Sequence, residues 1–189
     1  MKVSFVIPVG KSTKYLGRLL DSIHTQDYPD TEVLIEPWGT IGQARQWGVD
    51  RATGDLIAFV DSDCVLPNPD WLNKMVAPFS SEGVVLTWTL GAYHDDDPWI
   101  MKYSIDSRPY LPGMIPGTGH TLIRRQAILD AGGFRDLRAC EDKDLIRRLK
   151  GEFVYVPDAR VYHYHATTIR QFLYKKFRNT WYCLRLKWS

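Results

Sequence analysis

Asp61 and Asp63 stand two residues apart, directly after the apolar run at residues 56–60. In extended backbone, alternate side chains share a face, so both carboxylates can converge on one point beyond the strand. Two hard oxygen ligands suit Mg2+ or Mn2+, whose shell phosphate oxygens complete. An Asp-Ser-Asp turn is also ordinary solvated loop chemistry. What singles this one out is its position at the end of a buried strand. A second acidic pair, Glu141 and Asp142, opens an expected helix. There the local reading is that acids complement the helix dipole. His163 and His165 are also two apart, on one face of an expected strand. A neutral imidazole can complete a metal shell or meet a diphosphate, and it can equally be a hydrogen-bonded structural group.

These residues need elements to carry them. "VSFVI" (3–7) reads as a buried strand ended by Pro8. A helix follows, capped by Ser12 or Thr13, with Tyr15, Leu16, Leu19, Leu20 and Ile23 as its apolar stripe. "EVLIE" (32–36) is a second strand, 42–52 a short helix, "DLIAFV" (55–60) a third strand and 70–79 the next helix. Continuous apolar strands alternating with helices predict a mainly parallel sheet covered on both faces. Ligands in such sheets bind beyond the carboxyl ends of the strands, which is where Asp61 falls. Further strands are expected at 83–88 and 119–124, with long ordered loops between them at 89–118. Helices are expected at 125–131 and 142–150, then short strands, then a last helix at 168–187.

The totals are those of one globular domain with a core: 189 residues, 44% hydrophobic and a net charge of +2. The three cysteines, Cys64, Cys140 and Cys183, are widely spaced and odd in number, which predicts neither a disulfide framework nor a zinc site and fits a reducing compartment. Cys64 and Cys140 flank the two acidic motifs and are expected near the site. The N-terminus enters a strand pattern without a signal peptide, and no apolar run has the length to span a bilayer.

Five segments, taken together, resemble a family 2 glycosyltransferase of the nucleotide-sugar-binding α/β fold called GT-A. They are "VSFVIPV", "GQARQWGVDRATGDLIAFVDSDCVLPNPDWL", "GTGHTLIRRQAILDAGGFRD", "CEDKDLIRRL" and "VPDARVYHYH", in that order from residue 3 to residue 165. The resemblance implies an inverting transfer from a nucleotide-diphosphate sugar of UDP or GDP type to a hydroxyl of a glycan or lipid-linked acceptor. It implies that Asp61 and Asp63 bind Mn2+ or Mg2+ and the donor diphosphate, with His163 as a further metal ligand. It implies Asp142 as the general base, with Glu141 as the next candidate, and donor contacts from Pro8, Arg45 and Ser62. The family's acidic loop after the second strand is replaced by "IEPWGTIG", where Glu36 and Trp38 are the candidates for the nucleobase. Lys11, after the first strand, is a candidate for a phosphate. Gly117 and Gly119 allow close backbone approach to an acceptor, and His120 and the aromatic Trp88 are candidates beside them. Asp144 reads as a solvated or structural acid.

The expected organisation is a GT-A domain at 1–166, with a nucleotide-sugar half (1–88) and an acceptor and catalytic half (89–166). A basic amphipathic helix follows at 167–189. That segment has no acid, and its aromatic stripe suits an anionic membrane surface or the surface of the domain itself. The expected location is cytoplasmic, peripheral to the membrane. No nucleic-acid-binding motif accompanies the basic charge. The rival readings are a sugar-phosphate nucleotidyltransferase and a non-catalytic nucleotide- or carbohydrate-binding relative.

Overall fold

A computed structural model describes residues 1–10, 13–37, 39–93, 95–106, 116–117, 119–137, 139–164, 168–170, 172–174, 177 and 180–181. The elements run β1 (Val3–Val9), α1 (Leu16–His24), β2 (Thr31–Pro37), α2 (Ile41–Arg51), β3 (Leu56–Val60), β4 (Cys64–Val65) and α3 (Trp71–Val76). A turn of 3-10 helix, Ala77–Ser80, leads to β5 (Val84–Trp88), β6 (Gly91–Ala92) and α4 (Trp99–Asp106). Then come β7 (His120–Arg124), α5 (Arg125–Asp130), α6 (Glu141–Arg148), β8 (Glu152–Tyr155) and β9 (Val161–His163).

The main sheet has the order β2-β1-β3-β7-β5-β8. All its pairings are parallel except the two made by β7, which runs antiparallel to both β3 and β5. The two-residue period of the strands sorts their side chains into two cores. Val3, Phe5, Ile7, Leu56, Ala58 and Val60 face α1 and α3, packing with Leu19, Ile23, Trp71, Leu72 and Met75. Val6, Ile57, Phe59 and Ile123 face the other way, onto Val49 of α2, Ile128 of α5 and Leu145 and Ile146 of α6. Gly48 lets α2 lie close on the sheet, since a Cβ there would stand 2.3 Å from Val6 Cγ1. The expected α/β sheet with helices on both faces is what is found. A second sheet has the order β4-β9-β6.

Several expectations are corrected. Strand β1 continues through Pro8 to Val9. Its ladder to β3 ends at Val6, so the missing N–H of Pro8 interrupts nothing there. Helix α1 begins one turn later than a Ser12 or Thr13 cap would place it; its N-cap is Tyr15 without a side-chain cap. The stretch 89–118, expected as loops, contains α4 and the short β6. Cys140 is disulfide-bonded, because separation along the chain does not report separation in the fold. Helix α2 carries a capping box: Thr40 Oγ1 accepts from Gln43 N and Gln43 Oε1 accepts from Thr40 N. The pattern Thr-x-x-Gln was its sequence signal. Lys11, Trp38, His165 and Cys183 lie outside the described residues, as does part of the expected C-terminal helix. Its described positions, including Ile169, Phe172, Leu173 and Phe177, are helical.

Glu32 ties three segments at the edge away from the site. Its carboxylate accepts from Ser4 Oγ at 2.6 Å and from Thr53 N at 2.7 Å, with Lys2 Nζ at 3.3 Å. Burial alone would raise its pKa; the bonds from Ser4, Thr53 and Lys2 outweigh that and bring it from 4.5 to about 2. A folded-state pKa below the unfolded value gives stability that is present above pH 4.5 and is lost as pH falls through about 2. Glu32→Gln is expected to lower stability near neutral pH by on the order of 2 kcal/mol. The gap to wild type should close between pH 4.5 and 2 in urea midpoints measured across that range. A gap independent of pH would show that the carboxylate charge is not responsible.

Candidate active site

Strand β3 delivers Asp61 to the carboxyl end of the sheet. The turn that follows is closed by Cys64 N donating to Asp61 O at 3.0 Å. This presents Asp61, Ser62 and Asp63, all half-buried. Strand β4 then pairs antiparallel with β9, placing Cys64 opposite His163. That pairing brings a residue a hundred positions away in sequence to the carboxylates. His163 Nε2 lies 3.0 Å from Asp63 Oδ1 and 4.0 Å from Asp61 Oδ2. Ligand atoms of Asp61, Asp63 and His163 all fall within 4.8 Å of one another, a donor set that fits a hard divalent cation with open positions.

Arg45 joins this turn to the second acidic motif. It projects from α2, is 3% exposed, donates to Asp61 Oδ1 at 3.1 Å from Nη2, and donates to Glu141 Oε1 from Nη1. Glu141, 4% exposed, begins α6. Burial raises its pKa, with Arg45 opposing that shift and Asp142 adding to it. Asp142 is half-buried in the same first turn, its Oδ1 accepting from Lys143 N at 2.7 Å. Asp144 pairs with Arg135 at 3.1 Å and Arg148 at 2.7 Å, a structural acid.

The segment entering β7 passes between the two acidic motifs. A Cβ on Gly119 would stand 2.7 Å from Asp61 Oδ2, and one on Gly117 would stand 3.2 Å from Asp142 Oδ2. A side chain at 119 would therefore displace the carboxylate. His120 follows, half-buried, with its ring edge-on to His163 at 5.2 Å between centroids. Burial, then the neighbouring His163, lowers the His120 pKa to about 4, which keeps the imidazole neutral.

Asp61, Ser62, Asp63, Arg45, Glu141, Asp142, Gly117, Gly119, His120 and His163 thus gather at one end of the sheet. Other candidates stand on neighbouring strands at the same end of the sheet. Pro8 pairs with Glu36 near the ends of β1 and β2, and the buried Glu36 carboxylate is held by Arg51 Nη1. Trp88 is buried, its ring tilted against Tyr155 at 4.7 Å, so it shapes the site from within the core. The motif spacing gave no hint of the Arg45–Glu141 pair, because an arginine on a helix reads as an exposed cation.

Residues 34–138 match the family model of Glycosyl transferase family 2. The chain is 29% identical over 92% of its length to a pre-mycofactocin glycosyltransferase of Mycobacterium tuberculosis, covering 45% of that protein. It is 26% identical over 70% of its length to the glycosyltransferase AglE of Haloferax volcanii, covering 55% of it. The chain therefore spans about half the length of the curated relatives it matches. Among solved structures, mannosyltransferase PcManGT from Pyrobaculum calidifontis, in complex with GDP-Man and Mn2+, superposes with a TM-score of 0.72 at 16% identity. That match covers 96% of this chain and 61% of that one. S. aureus TarS in complex with UDP-GlcNAc gives 0.69 at 17% identity, covering 91% and 61%.

Arg45→Met is expected to leave Glu141 buried and unpaired, at a cost of about 3–5 kcal/mol in urea unfolding. In a Glu141→Gln background the same substitution should cost much less. Equal costs in the two backgrounds would show that the pair is not coupled.

Proposed function

The chain belongs to glycosyl transferase family 2, and from that premise we propose that it transfers a sugar from a nucleotide-diphosphate donor to a hydroxyl acceptor with inversion, using a divalent metal. The observation that carries this reading is the convergence of Asp61, Asp63 and His163 with a third carboxylate, Asp142, at the carboxyl end of the sheet. The complexes of similar structures with GDP-Man and Mn2+, and with UDP-GlcNAc, support a donor of GDP or UDP type.

Asp61, Asp63 and His163 would hold Mn2+ or Mg2+, which when bound supplies positive charge for the departing diphosphate. The chain's own groups do the rest. Asp142 accepts the acceptor hydroxyl's proton as the oxygen attacks the anomeric carbon; a hydroxyl is a poor nucleophile until a carboxylate takes that proton. Glu141 is less suited to the task because its carboxylate is buried against Arg45. Arg45 instead orients both acidic motifs. The backbone at Gly117 and Gly119 lies against Asp142 and Asp61, which suits a path for the acceptor.

Asp61→Asn and Asp63→Asn should each abolish Mn2+-dependent donor binding in calorimetry while leaving the thermal unfolding cooperative. Asp142→Asn should keep donor binding and lose about a hundredfold or more in transfer. Unchanged donor affinity in both carboxamide variants would remove the metal site. Hydrolysis of a nucleotide sugar that requires Mn2+ separates this enzyme from a non-catalytic binder, and release of pyrophosphate from a nucleoside triphosphate incubated with a sugar phosphate would indicate nucleotidyl transfer.

A membrane surface is the second partner we propose, on the exposure of the C-terminal stripe. Leu173 is 59% and Phe177 73% exposed. Among the described residues no helix is long and apolar enough to cross a membrane. The cytoplasmic side, suggested by the cysteine pattern, loses that support with Cys140 disulfide-bonded. Co-sedimentation with vesicles should rise with anionic lipid and fall with salt, each near-surface cation contributing about 1 kcal/mol. Equal recovery in the supernatant with neutral and anionic vesicles would reduce the stripe to a packing surface.

A further inference from the structure

Cys64 has no part in the transfer chemistry, yet it lies fully buried directly behind the carboxylates and keeps its thiol. Its Sγ is 3.9 Å from His120 Nδ1. The β4–β9 pairing sets it opposite His163, and directly opposed residues of an antiparallel pair project to one face. One ligand atom from each of Cys64, His120 and His163 lies within 4.8 Å of the other two.

A sulfur and two imidazole nitrogens are not the donor set of Mg2+ or Mn2+. They are that of a borderline-soft cation, above all Zn2+. Zn–S near 2.3 Å and Zn–N near 2.0–2.1 Å give tetrahedral S···N edges of about 3.6 Å. The observed 3.9 Å needs only a small side-chain rotation to close. The three ligands come from β4, the start of β7 and β9, and each is fixed in place by strand pairing. The sequence spacing of 64, 120 and 163 matches no zinc motif, since the fold alone brings them together.

We propose that Cys64, His120 and His163 form a binding site for a Zn2+-class cation, adjacent to the Asp61–Asp63 set and sharing His163 with it. Three protein ligands leave a fourth position for water or a carboxylate oxygen. Both donor sets draw on the one imidazole of His163.

Co2+ is the probe, as a spectroscopic stand-in for Zn2+ whose thiolate complex shows a near-ultraviolet charge-transfer band. The purified chain should develop that band on titration with Co2+ and lose it on addition of Zn2+. The band should be absent in Cys64→Ser and present in Asp63→Asn and in the double variant Cys140→Ser/Cys183→Ser. Zn2+ affinity, read by competition with a chromophoric chelator, should fall more than about tenfold in His120→Asn, since losing even an outer-sphere partner costs that much. His120→Asn keeps the thiol, so it decides the matter should Cys64→Ser fail to fold. A wild type without the band at saturating Co2+, a band that survives Cys64→Ser, or unchanged Zn2+ affinity in His120→Asn would overturn the proposal. None of these readouts depends on sugar transfer.

Discussion

A single buried guanidinium organises the carboxyl end of the main sheet. Arg45 holds Asp61 with one nitrogen and Glu141 with the other. Desolvating those charges costs free energy that the pairing only offsets, so the contact contributes specificity of arrangement more than net stability. What it fixes is the relation between the strand-end turn after β3 and the first turn of α6. Asp142 neighbours Glu141, so wherever Glu141 is pinned, Asp142 follows. Asp61 and the Glu141–Asp142 pair are therefore registered against each other through one side chain on α2. That helix is itself anchored by the Thr40–Gln43 capping box and by Thr40 Oγ1 donating to Asp136.

The second organising contact is backbone. The small sheet β4-β9-β6 crosses the end of the main sheet and returns the chain to the carboxylates. Tyr164 N donates to Asp63 O at 2.8 Å, and Tyr164 stacks on Tyr15 at 4.2 Å. Helix α1, the strand-end turn and β9 are thereby held in one layer. Trp71 Nε1 donates to Ala159 O at 2.6 Å beneath it.

What was legible in the sequence was what local chemistry dictates. The alternation of apolar strands with amphipathic helices announced the sheet, and Asp61 and Asp63 at a strand end announced the site. Gly132 and Gly133, both with positive φ, marked the stop after α5. What was not legible depends on distant pairing. The burial of Arg45 needs Glu141, ninety-six residues on. The meeting of Cys64 with His163 needs β9 to return, and the disulfide of Cys140 needs a partner that spacing could not nominate. Helix α4 was missed for a different reason: its surroundings, rich in Gly, Pro and aromatics, outweighed a short helical run. Trp99 and Tyr103 on that helix are 67% and 65% exposed.

Strand β7 runs against its neighbours, so its first residue lies at the same edge as the last residues of β3 and β5. The chain leaves that edge after Trp88 and returns at His120, and Thr89 N donating to His120 O closes the gap at 3.3 Å. Between them lie β6 and α4, in an excursion whose two ends are held by adjacent strands. Loop-closure entropy grows only logarithmically, at about 0.6 kcal/mol per doubling of length. Such an excursion tolerates changes of length around α4, while β6, paired with β9, and Gly117 and Gly119, packed on the carboxylates, keep their places. The topology thereby separates what can diverge from what must stay: insertions between β6 and the segment entering β7 leave the strand ends that carry Asp61 and His163 unaltered.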